Sequence, residues 1–385
     1  MTYPTISHLI ENITGIFVPL PIQTFGFFIV TAFIVGHYFI KKEFLRFQEL
    51  KIFKPIILKN EKSILWILFE YSINGVLAFF LGYKLPYIIK NYHFFAESPH
   101  TIILSSDGNI LFGFILSLIT VIFMYRGNNN TSHTENKTME IYPSELSWNV
   151  LFVAAGSGII GAKLFAVLED VDYLIQDPIS AILSFSGLTF YGGLIMGTLC
   201  VIIYAKKYKI NILRLADSFA PSLILAYGIG RLGCHFSGDG DWGITANMNN
   251  KPDFLPDWIW GYNFPNNVIE AGVKINDCVG KYCYELPFPV YPTSLYEALF
   301  GVFAFIFLWN LKQKIKIPGI IFCIYLIING IERYLIEFIR VTEKYQILNT
   351  QLTQAQLIGI LLIIIGFFGV FFLIKLNRQH DFIKK

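Results

Sequence analysis

Residues 215–243 read LADSFAPSLILAYGIGRLGCHFSGDGDWG, and this stretch decides the fold class. An apolar run long enough to cross a bilayer ends in an arginine, a histidine and two aspartates. A charge inside a spanning segment is costly, so by default it marks a functional site or one member of an ion pair. The stretch therefore predicts a membrane helix with a polar site at one end.

The whole chain has the composition of a membrane protein. Of its 385 residues, 54% are hydrophobic and 15% are charged, whereas a soluble domain carries roughly 25% charged residues. The mean hydropathy is +0.54. The five cysteines form neither a CxxC pair nor a Cys/His zinc spacing, so we expect no metal. Cys278 and Cys283 share one polar loop and can form a disulfide if that loop faces an oxidising compartment.

Apolar runs near the length of a membrane span recur along the sequence and predict about nine transmembrane helices. These runs are 19–40, 63–83, 105–125, 149–168, 180–204, 215–236, 293–311, 318–339 and 355–376. We interpret the first as a retained helix, because it lacks the basic start and the cleavage site of a signal peptide. The predicted fold class is an all-α, polytopic helical bundle.

The basic residues predict the orientation of the bundle. Seven Lys/Arg follow the first span, four follow the fifth, three follow the seventh and four follow the ninth. Cytoplasmic loops carry an excess of Lys and Arg. We therefore expect the N-terminus outside, the C-terminus inside, the polar loop 126–148 in the cytoplasm, and the loop 237–292 as a small extracytoplasmic head.

Intramembrane charges gather at the outer ends of three predicted spans. They are Arg231 and His235 in the sixth span, Glu297 in the seventh, and Glu332, Arg333, Glu337 and Arg340 in the eighth. Side chains three or four residues apart share a helix face, and guanidinium groups bind phosphate oxygens bidentately. The pattern favours a site for an anionic phosphate. The alternative is a set of interhelical ion pairs that only locks the bundle.

Five motifs resemble those of the prolipoprotein diacylglyceryl transferase family and occur in the family's order. They are PIQTFGF at 21–27, YGGLIMG at 191–197, GRLGCHFSGDGDWG at 230–243, YPTSLYE at 291–297 and RYLIEFIR at 333–340. The resemblance covers the first span and about 150–340. The orientation expected from the charges is also that of the family.

The resemblance divides the chain into a seven-span core and an insertion. The expected parts are 1–40 as the first core helix, 41–148 as an inserted helix pair with a polar cytoplasmic loop, 149–236 as core helices, 237–292 as the head, and 293–385 as core helices with a basic tail.

The resemblance also implies a reaction. The family moves the diacylglyceryl group of phosphatidylglycerol to the thiol of a lipobox cysteine in a preprolipoprotein, forming a thioether and releasing glycerol phosphate. It implies no cofactor, and as partners phosphatidylglycerol, membrane lipids and the signal peptide with its lipobox cysteine. We expect a monomer without a nucleic-acid partner, in the bacterial cytoplasmic (inner) membrane, with its site toward the periplasmic or extracytoplasmic face.

Individual residues take roles through the matching motifs. Arg231 matches the arginine of the family's G-R-x-G motif and Arg333 opens R-x-x-x-E-F-x-R, which implies phosphate binding and leaving-group stabilisation. The further catalytic candidates are Glu337, Asp239, Tyr191 and His235. The substrate-binding candidates, beside Arg231, are Arg340, Gly192, Gly193, Gly230, Gly243, Tyr291, Glu297 and Phe25. Asp241 is an equal alternative to Asp239, because GDGDWG is one residue longer than the family's G-E-x-W-G.

Four departures from the family leave the activation of the thiol open. Tyr191 and Tyr291 stand at histidine positions, Phe25 stands at a tyrosine position, and Cys234-His235 replaces an asparagine. A phenol, with a free pKa of about 10, is a poor base at neutral pH. His235 titrates in the right range, but a lone histidine on an apolar helix is more often a packing residue, and we interpret Cys234 as a buried small residue.

Two other functions therefore stay open. One is a relative that has lost transfer and only binds anionic lipid or lipoprotein. The other is a transporter, which the clustering of charge near one surface and the lack of an internal repeat disfavour.

Overall fold

The computed structural model describes residues 2–59, 64–97, 99–131, 138–178, 181, 189–278, 280–342, 345–347 and 350–383. Within that part the α-helices are α1 Ile6–Thr14, α2 Thr24–Glu49, α3 Ile64–Lys90, α4 Tyr92–Glu97, α5 Pro99–Leu104, α6 Ile110–Thr131, α7 Ser147–Glu169, α8 Val171–Gln176, α9 Phe190–Lys207, α10 Ile212–Ser237, α11 Asp257–Trp260, α12 Thr293–Leu311, α13 Ile320–Ile336 and α14 Gln354–Ile383. A 3₁₀-helix spans Met248–Asn250. The strands are β1 Ile56–Lys59, β2 Thr138–Ile141, β3 Val273–Lys274, β4 Tyr284–Glu285, β5 Tyr345–Ile347 and β6 Thr350–Leu352. The strands form three two-stranded sheets.

These elements confirm the predicted all-α, polytopic class. Seven of the described helices, namely α2, α3, α6, α7, α10, α12 and α14, are long and apolar enough to cross a membrane. Helices α9 and α13 are 18 and 17 residues long. The count of nine spans and the orientation stay predictions. Parts of the predicted second and fifth spans, of the loop 126–148 and of the basic tail lie outside the described residues.

The chain divides into two compact units. The core unit comprises Met1–Thr2, Phe28–Ile56 and Ile141–Lys385, and the hairpin unit comprises Tyr3–Phe27 and Ile57–Glu140. In the hairpin unit α3 packs closely on α6, because a Cβ on Gly82 would meet the main chain at Gly113, 3.0 Å away. The assignment of 41–148 as an insertion stays a prediction.

Glycines set three close helix crossings in the core unit. Helix α7 meets α9 at Gly161 and Gly192, where a Cβ on Gly192 would lie 2.6 Å from the Gly161 carbonyl oxygen. Helix α13 meets α14 where a Cβ on Gly330 would lie 2.5 Å from the Gly359 carbonyl oxygen. Helix α10 meets α12 where a Cβ on Gly301 would lie 2.9 Å from the Cα of Gly228. Larger side chains at these points would push the helices apart.

Asp217 fixes the start of helix α13. Its carboxylate accepts hydrogen bonds from the backbone N–H groups of Gly319, at 2.7 Å, and Phe322, at 3.0 Å. These are among the N–H groups that a helix leaves without intrahelical partners at its first turn. Asp217 is buried within α10, so this cap ties α13 to α10.

The described part of the head, the loop that follows α10, is organised around one buried amide. The side chain of Asn267 donates to the carbonyl oxygens of Phe264, Ala271 and Tyr284 and accepts from the Ala271 N–H, over 2.8–3.2 Å. It therefore satisfies loop groups that would otherwise be buried without partners. Strands β3 and β4 pair beside it, and Cys278 and Cys283 form a disulfide, as the sequence allowed.

Candidate functional site

Six charged side chains form one ion-pair cluster in the core unit. They are Arg231, Arg333 and Arg340 with Asp241, Glu297 and Glu337. They come from α10, α12 and α13 and from the segments that follow α10 and α13. The convergence predicted from three spans is therefore present in the structure.

Glu297 lies at the centre of the cluster. The Gly228–Gly301 crossing brings its turn of α12 against the turn of α10 that carries Arg231, which donates to Glu297 Oε2 through both Nε and Nη2. Glu297 Oε1 lies 3.5 Å from Arg333 Nη1 and 3.3 Å from Arg340 Nη1. The Glu297 side chain is fully buried. Such burial is tolerable for a carboxylate because it is paired with several cations.

Asp241, rather than Asp239, joins the cluster. Its carboxylate contacts Arg231 Nη1 and lies 2.6 Å from Arg340 Nη2, and its carbonyl oxygen accepts from Thr293 Oγ1 at 3.0 Å. Burial alone would raise the pKa of Asp241, but the charges of Arg231 and Arg340 outweigh burial and lower it. Asp239 instead accepts a hydrogen bond from the Asp241 N–H, at 3.3 Å. Asp239 therefore shapes the loop that carries Asp241.

Glu337 closes the other side of the cluster. Its Oε1 lies 3.2 Å from Arg333 Nη2 and 3.8 Å from Arg340 Nε. Its Oε2 accepts from Thr342 Oγ1 at 2.7 Å. Of the three arginines, Arg333 has the most exposed side chain, 33%, against 11% for Arg231 and 13% for Arg340. Arg333 is therefore the most accessible of the three guanidinium groups.

Arg340 does not lie on a helix, which corrects the prediction that the eighth span carries it. Helix α13 ends at Ile336 rather than near 339. The backbone of Arg340 forms a β-bridge with Gly243, and the Ile244 N–H donates to the Ile339 carbonyl oxygen at 2.8 Å. The head thus pairs with backbone that would otherwise continue the helix. Glu337 and Arg340 still meet, because the chain keeps a turn there.

His235 and Cys234 lie on the same turn of α10 in different surroundings. The His235 ring is buried among Phe236, Tyr262 and Phe264, with ring centroids 5.5–5.7 Å apart. Cys234 Sγ is buried and lies 3.6 Å from Arg231 Nη1. The aromatic surroundings favour the packing interpretation of His235, and its role as a base stays a prediction.

The thiol of Cys234 and the carboxylates of Asp239 and Asp241 lie within 4.8 Å of one another, a grouping that can hold a metal ion. The positive charge of Arg231 stands beside the sulfur, and the Asp241 carboxylate is occupied by two arginines. A metal cation would have to displace these ion pairs, so the arrangement disfavours a metal ion at this place.

Several sequence candidates lie outside the ion pairs. Tyr191 is in the first turn of α9 and is 38% exposed. Gly192 and Gly193 pack against α7. Tyr291 accepts from the Gly243 N–H at 2.8 Å, which supports the loop beside Arg340. Phe25 belongs to the hairpin unit and is exposed in the first turn of α2.

Tyr227 is a site residue that the sequence analysis did not find. Its hydroxyl lies 3.0 Å from Glu297 Oε1 and 3.3 Å from Glu332 Oε1, and its ring stacks under the Arg231 guanidinium at 5.9 Å. A tyrosine in an apolar helix resembles a packing residue. The available signal was its position four residues before Arg231, on the same helix face.

Comparison with known proteins decides the family. A model of the prolipoprotein diacylglyceryl transferase family matches residues 109–372, more than half of the chain. The chain belongs to this family. The family recognition made from the five motifs is confirmed, and four of the motifs lie inside the matched region.

Relatives named phosphatidylglycerol–prolipoprotein diacylglyceryl transferase match more than half of the chain. The one from Clostridium tetani is 30% identical over 239 residues, 62% of this chain and 84% of the relative. The one from Clostridium botulinum is 33% identical over 236 residues, 60% of this chain and 82% of the relative. The one from Staphylococcus xylosus is 31% identical over 226 residues, 58% and 73% respectively.

Proposed function

We propose that this chain transfers the diacylglyceryl group of phosphatidylglycerol to the cysteine thiol of a prolipoprotein, the reaction after which its relatives are named. The single observation that carries the proposal is the buried cluster of three arginines in a member of this family. The cysteine sulfur bonds to the carbon of the diacylglyceryl group that carries the phosphate. The bond from that carbon to the phosphate oxygen breaks, and the phosphate leaves with the other glycerol as glycerol phosphate. The thiol proton passes to a base or to the departing phosphate.

The arginines suit the phosphate both in bound phosphatidylglycerol and in the leaving glycerol phosphate. Arg333, the most accessible of the three arginines, can contact the headgroup first, and Arg231, held by Glu297 and Asp241, can bind it in a fixed orientation. Negative charge on the leaving oxygen grows as the carbon–oxygen bond breaks. Positioned guanidinium groups in a buried site stabilise that charge without having to reorganise.

We infer that the cluster faces the extracytoplasmic side of a bacterial inner membrane. The excess of Lys and Arg after the odd-numbered spans supports this orientation. The Cys278–Cys283 disulfide in the head supports it independently, because disulfides persist in oxidising compartments. We expect a monomer, because the charge pattern of the sequence needs no partner subunit.

Two residues are candidates for activating the substrate thiol. A thiolate is the reactive form of cysteine, and Tyr191 and His235 are the groups that replace the family's usual residues. A pH–rate profile of Tyr191→Phe and His235→Gln separates them, because the variant that removes the base loses one limb of the profile.

The alternative is a relative that binds anionic lipid without transfer, and the departures at Tyr191 and Cys234-His235 favour it. The test is a transfer assay with purified protein, phosphatidylglycerol and a lipobox peptide, read by mass spectrometry. A diacylglyceryl adduct that is absent with a Cys→Ser peptide supports transfer. Phosphatidylglycerol binding without any adduct would support the alternative.

A further inference from the structure

One buried acid near the cluster takes no part in its ion pairs. Glu332 lies on α13 and is 6% exposed, and its Oε1 lies 3.3 Å from the Tyr227 hydroxyl. The same hydroxyl lies 3.0 Å from Oε1 of the buried Glu297. Within the part of the chain that the structure describes, no Lys, Arg or His nitrogen forms an ion pair with Glu332. One hydroxyl therefore bridges two buried carboxyl groups.

The number of hydrogen atoms available at this bridge indicates whether Glu332 is protonated. A tyrosine hydroxyl has one hydrogen to donate and lone pairs with which to accept. Glu297 is the nearer partner and pairs with three arginines, so it takes the hydroxyl hydrogen. The contact with Glu332 is then attractive only if Glu332 carries a proton and donates it to the tyrosine oxygen. An ionised Glu332 would be a buried carboxylate without a directly paired cation, which is costly.

The surroundings of Glu332 agree with a neutral acid. Helix α10 presents Tyr227 and Arg231, and α12 presents Glu297. The helix of Glu332 itself carries Tyr325 two turns earlier and Arg333 as the next residue. Arg333 pairs with both Glu297 and Glu337. Helix α14 packs on this helix through Gly359, and its residues 354–372 carry no titratable side chain.

The charge of the cluster depends on this proton. Three guanidinium groups face three carboxylates in the ion pairs, so the cluster is neutral while Glu332 is protonated. Loss of the proton would add one negative charge beside Tyr227 and Arg231. Like charge in a poorly solvated site opposes the binding of an anion.

We propose that Glu332 is a positioning residue that, as a neutral acid hydrogen-bonded to Tyr227, holds Glu297 and Arg231 ready for the phosphate, and that its ionisation weakens phosphatidylglycerol binding. The proposal rests on the proposed function and deepens it, since it adds a regulating proton to the phosphate site. Glu332 acts through Tyr227 and touches no substrate atom.

The test uses Glu332→Gln and Glu332→Ala in the full-length protein. The probes are short-chain phosphatidylglycerol, measured by binding, and the lipobox peptide, measured by transfer, from mildly acidic to mildly alkaline pH. In the wild type, KM and Kd for phosphatidylglycerol rise on the alkaline side while kcat changes less. Glu332→Gln abolishes that rise, because an amide still donates to Tyr227 but cannot ionise. Glu332→Ala weakens binding about tenfold at every pH, because the bridge is lost.

Infrared spectroscopy gives a second readout that does not depend on catalysis. The wild type shows the carbonyl band of a neutral, buried carboxylic acid at neutral pH, and Glu332→Gln lacks it. Tyr334→Phe is the matched control, since it removes a hydroxyl from the same helix, on a ring that packs against Phe338, and leaves the pH profile unchanged. The proposal is overturned if the band is absent from the wild type, if Gln behaves like Ala, or if Gln keeps the alkaline rise.

The outcomes also separate this proposal from the proposed function. A wild type that makes no adduct contradicts transfer, while the binding profile and the infrared band still test Glu332. A Glu332→Ala protein that fails to fold leaves the Gln variant and the infrared band as sufficient tests.

Discussion

The backbone of Arg340 pairs with that of Gly243, so the head and helix α13 together position this guanidinium. The pairing requires a glycine, because a Cβ on residue 243 would meet the Ile339 carbonyl oxygen and would lie 3.0 Å from Thr293 Cγ2. Thr293 in turn holds the Asp241 backbone. A change at Gly243 therefore reaches two members of the ion-pair cluster without altering any charge.

Gly243→Ala is expected to lower transfer at least about tenfold, because the overpacked bridge moves Arg340 and Asp241 away from their partners. The measurement is kcat/KM for phosphatidylglycerol in the mass-spectrometric assay. Gly156→Ala is the matched control, since no atom lies within 4 Å of a Cβ placed there. Equal effects of the two substitutions would contradict the role given to the bridge.

Arg231→Ala is expected to reduce transfer by about 10²–10³-fold, the scale on which loss of one charge-stabilising donor acts. Arg231→Lys is expected to recover little, because one ammonium cannot hold Glu297 and Asp241 in the planar arrangement of a guanidinium. Arg214→Ala is the control on the same helix. Arg214 lies at the opposite end of α10, where it donates to the Lys316 carbonyl oxygen. Its substitution is therefore expected to leave phosphatidylglycerol binding unchanged. Transfer that survives Arg231→Ala would refute the phosphate-site assignment.

Asp241→Asn is expected to reduce transfer more than Asp239→Asn, because only Asp241 contacts two arginines. Its substitution leaves both guanidinium groups with one partner fewer. Kinetics of the two variants, measured side by side in one lipid mixture, check the ranking. A larger loss in Asp239→Asn would reassign the acidic residue of the motif.

Asp241 also predicts a pH dependence of stability. Its folded pKa is lowered, so the stabilisation from its ion pairs is complete above its unfolded pKa of about 4. That stabilisation is lost as the pH falls through the lower folded pKa. Thermal unfolding in detergent between mildly acidic and strongly acidic pH is expected to show a steeper loss for the wild type than for Asp241→Asn. Parallel curves would show that this pairing is not linked to folding.

Asp217→Ala is expected to lower the free energy of unfolding by about 1–2 kcal/mol, because α13 loses the cap on its first N–H groups. Asp217→Asn is expected to restore part of the loss, since its amide oxygen still accepts a hydrogen bond. Thermal unfolding in detergent, with and without phosphatidylglycerol, measures the effect. An unchanged unfolding temperature in the alanine variant would mean that solvent or neighbouring groups replace the cap.

The sequence predicted the class of fold and the main members of the cluster for a simple physical reason. Charges are costly in a membrane span, so each arginine or glutamate in an apolar run stands out, and their common depth indicates one site. Arg231, Glu297 and Arg333 were found in this way. The same rule cannot detect Tyr227, whose ring suits an apolar helix and whose function depends on one hydroxyl.

What the sequence could not resolve depends on contacts between distant segments. The hydrophobic periodicity predicted an eighth span that carries Arg340. In the structure the helix ends earlier, at Ile336, and Arg340 pairs with Gly243, a contact between distant segments that periodicity does not reveal. The motif spacing left Asp239 and Asp241 equivalent, because one extra residue in a loop can be absorbed on either side. Only the folded loop shows which carboxylate turns toward the arginines.

The glycine crossings have a mechanical consequence for a lipid with two acyl chains. Where backbone touches backbone, as α7 does with α9 and α13 does with α14, two helices have no side-chain layer between them that can yield. Each of these helix pairs is therefore harder to separate than a pair that packs through side chains. A gap for a lipid with two acyl chains is therefore expected between these pairs rather than within them.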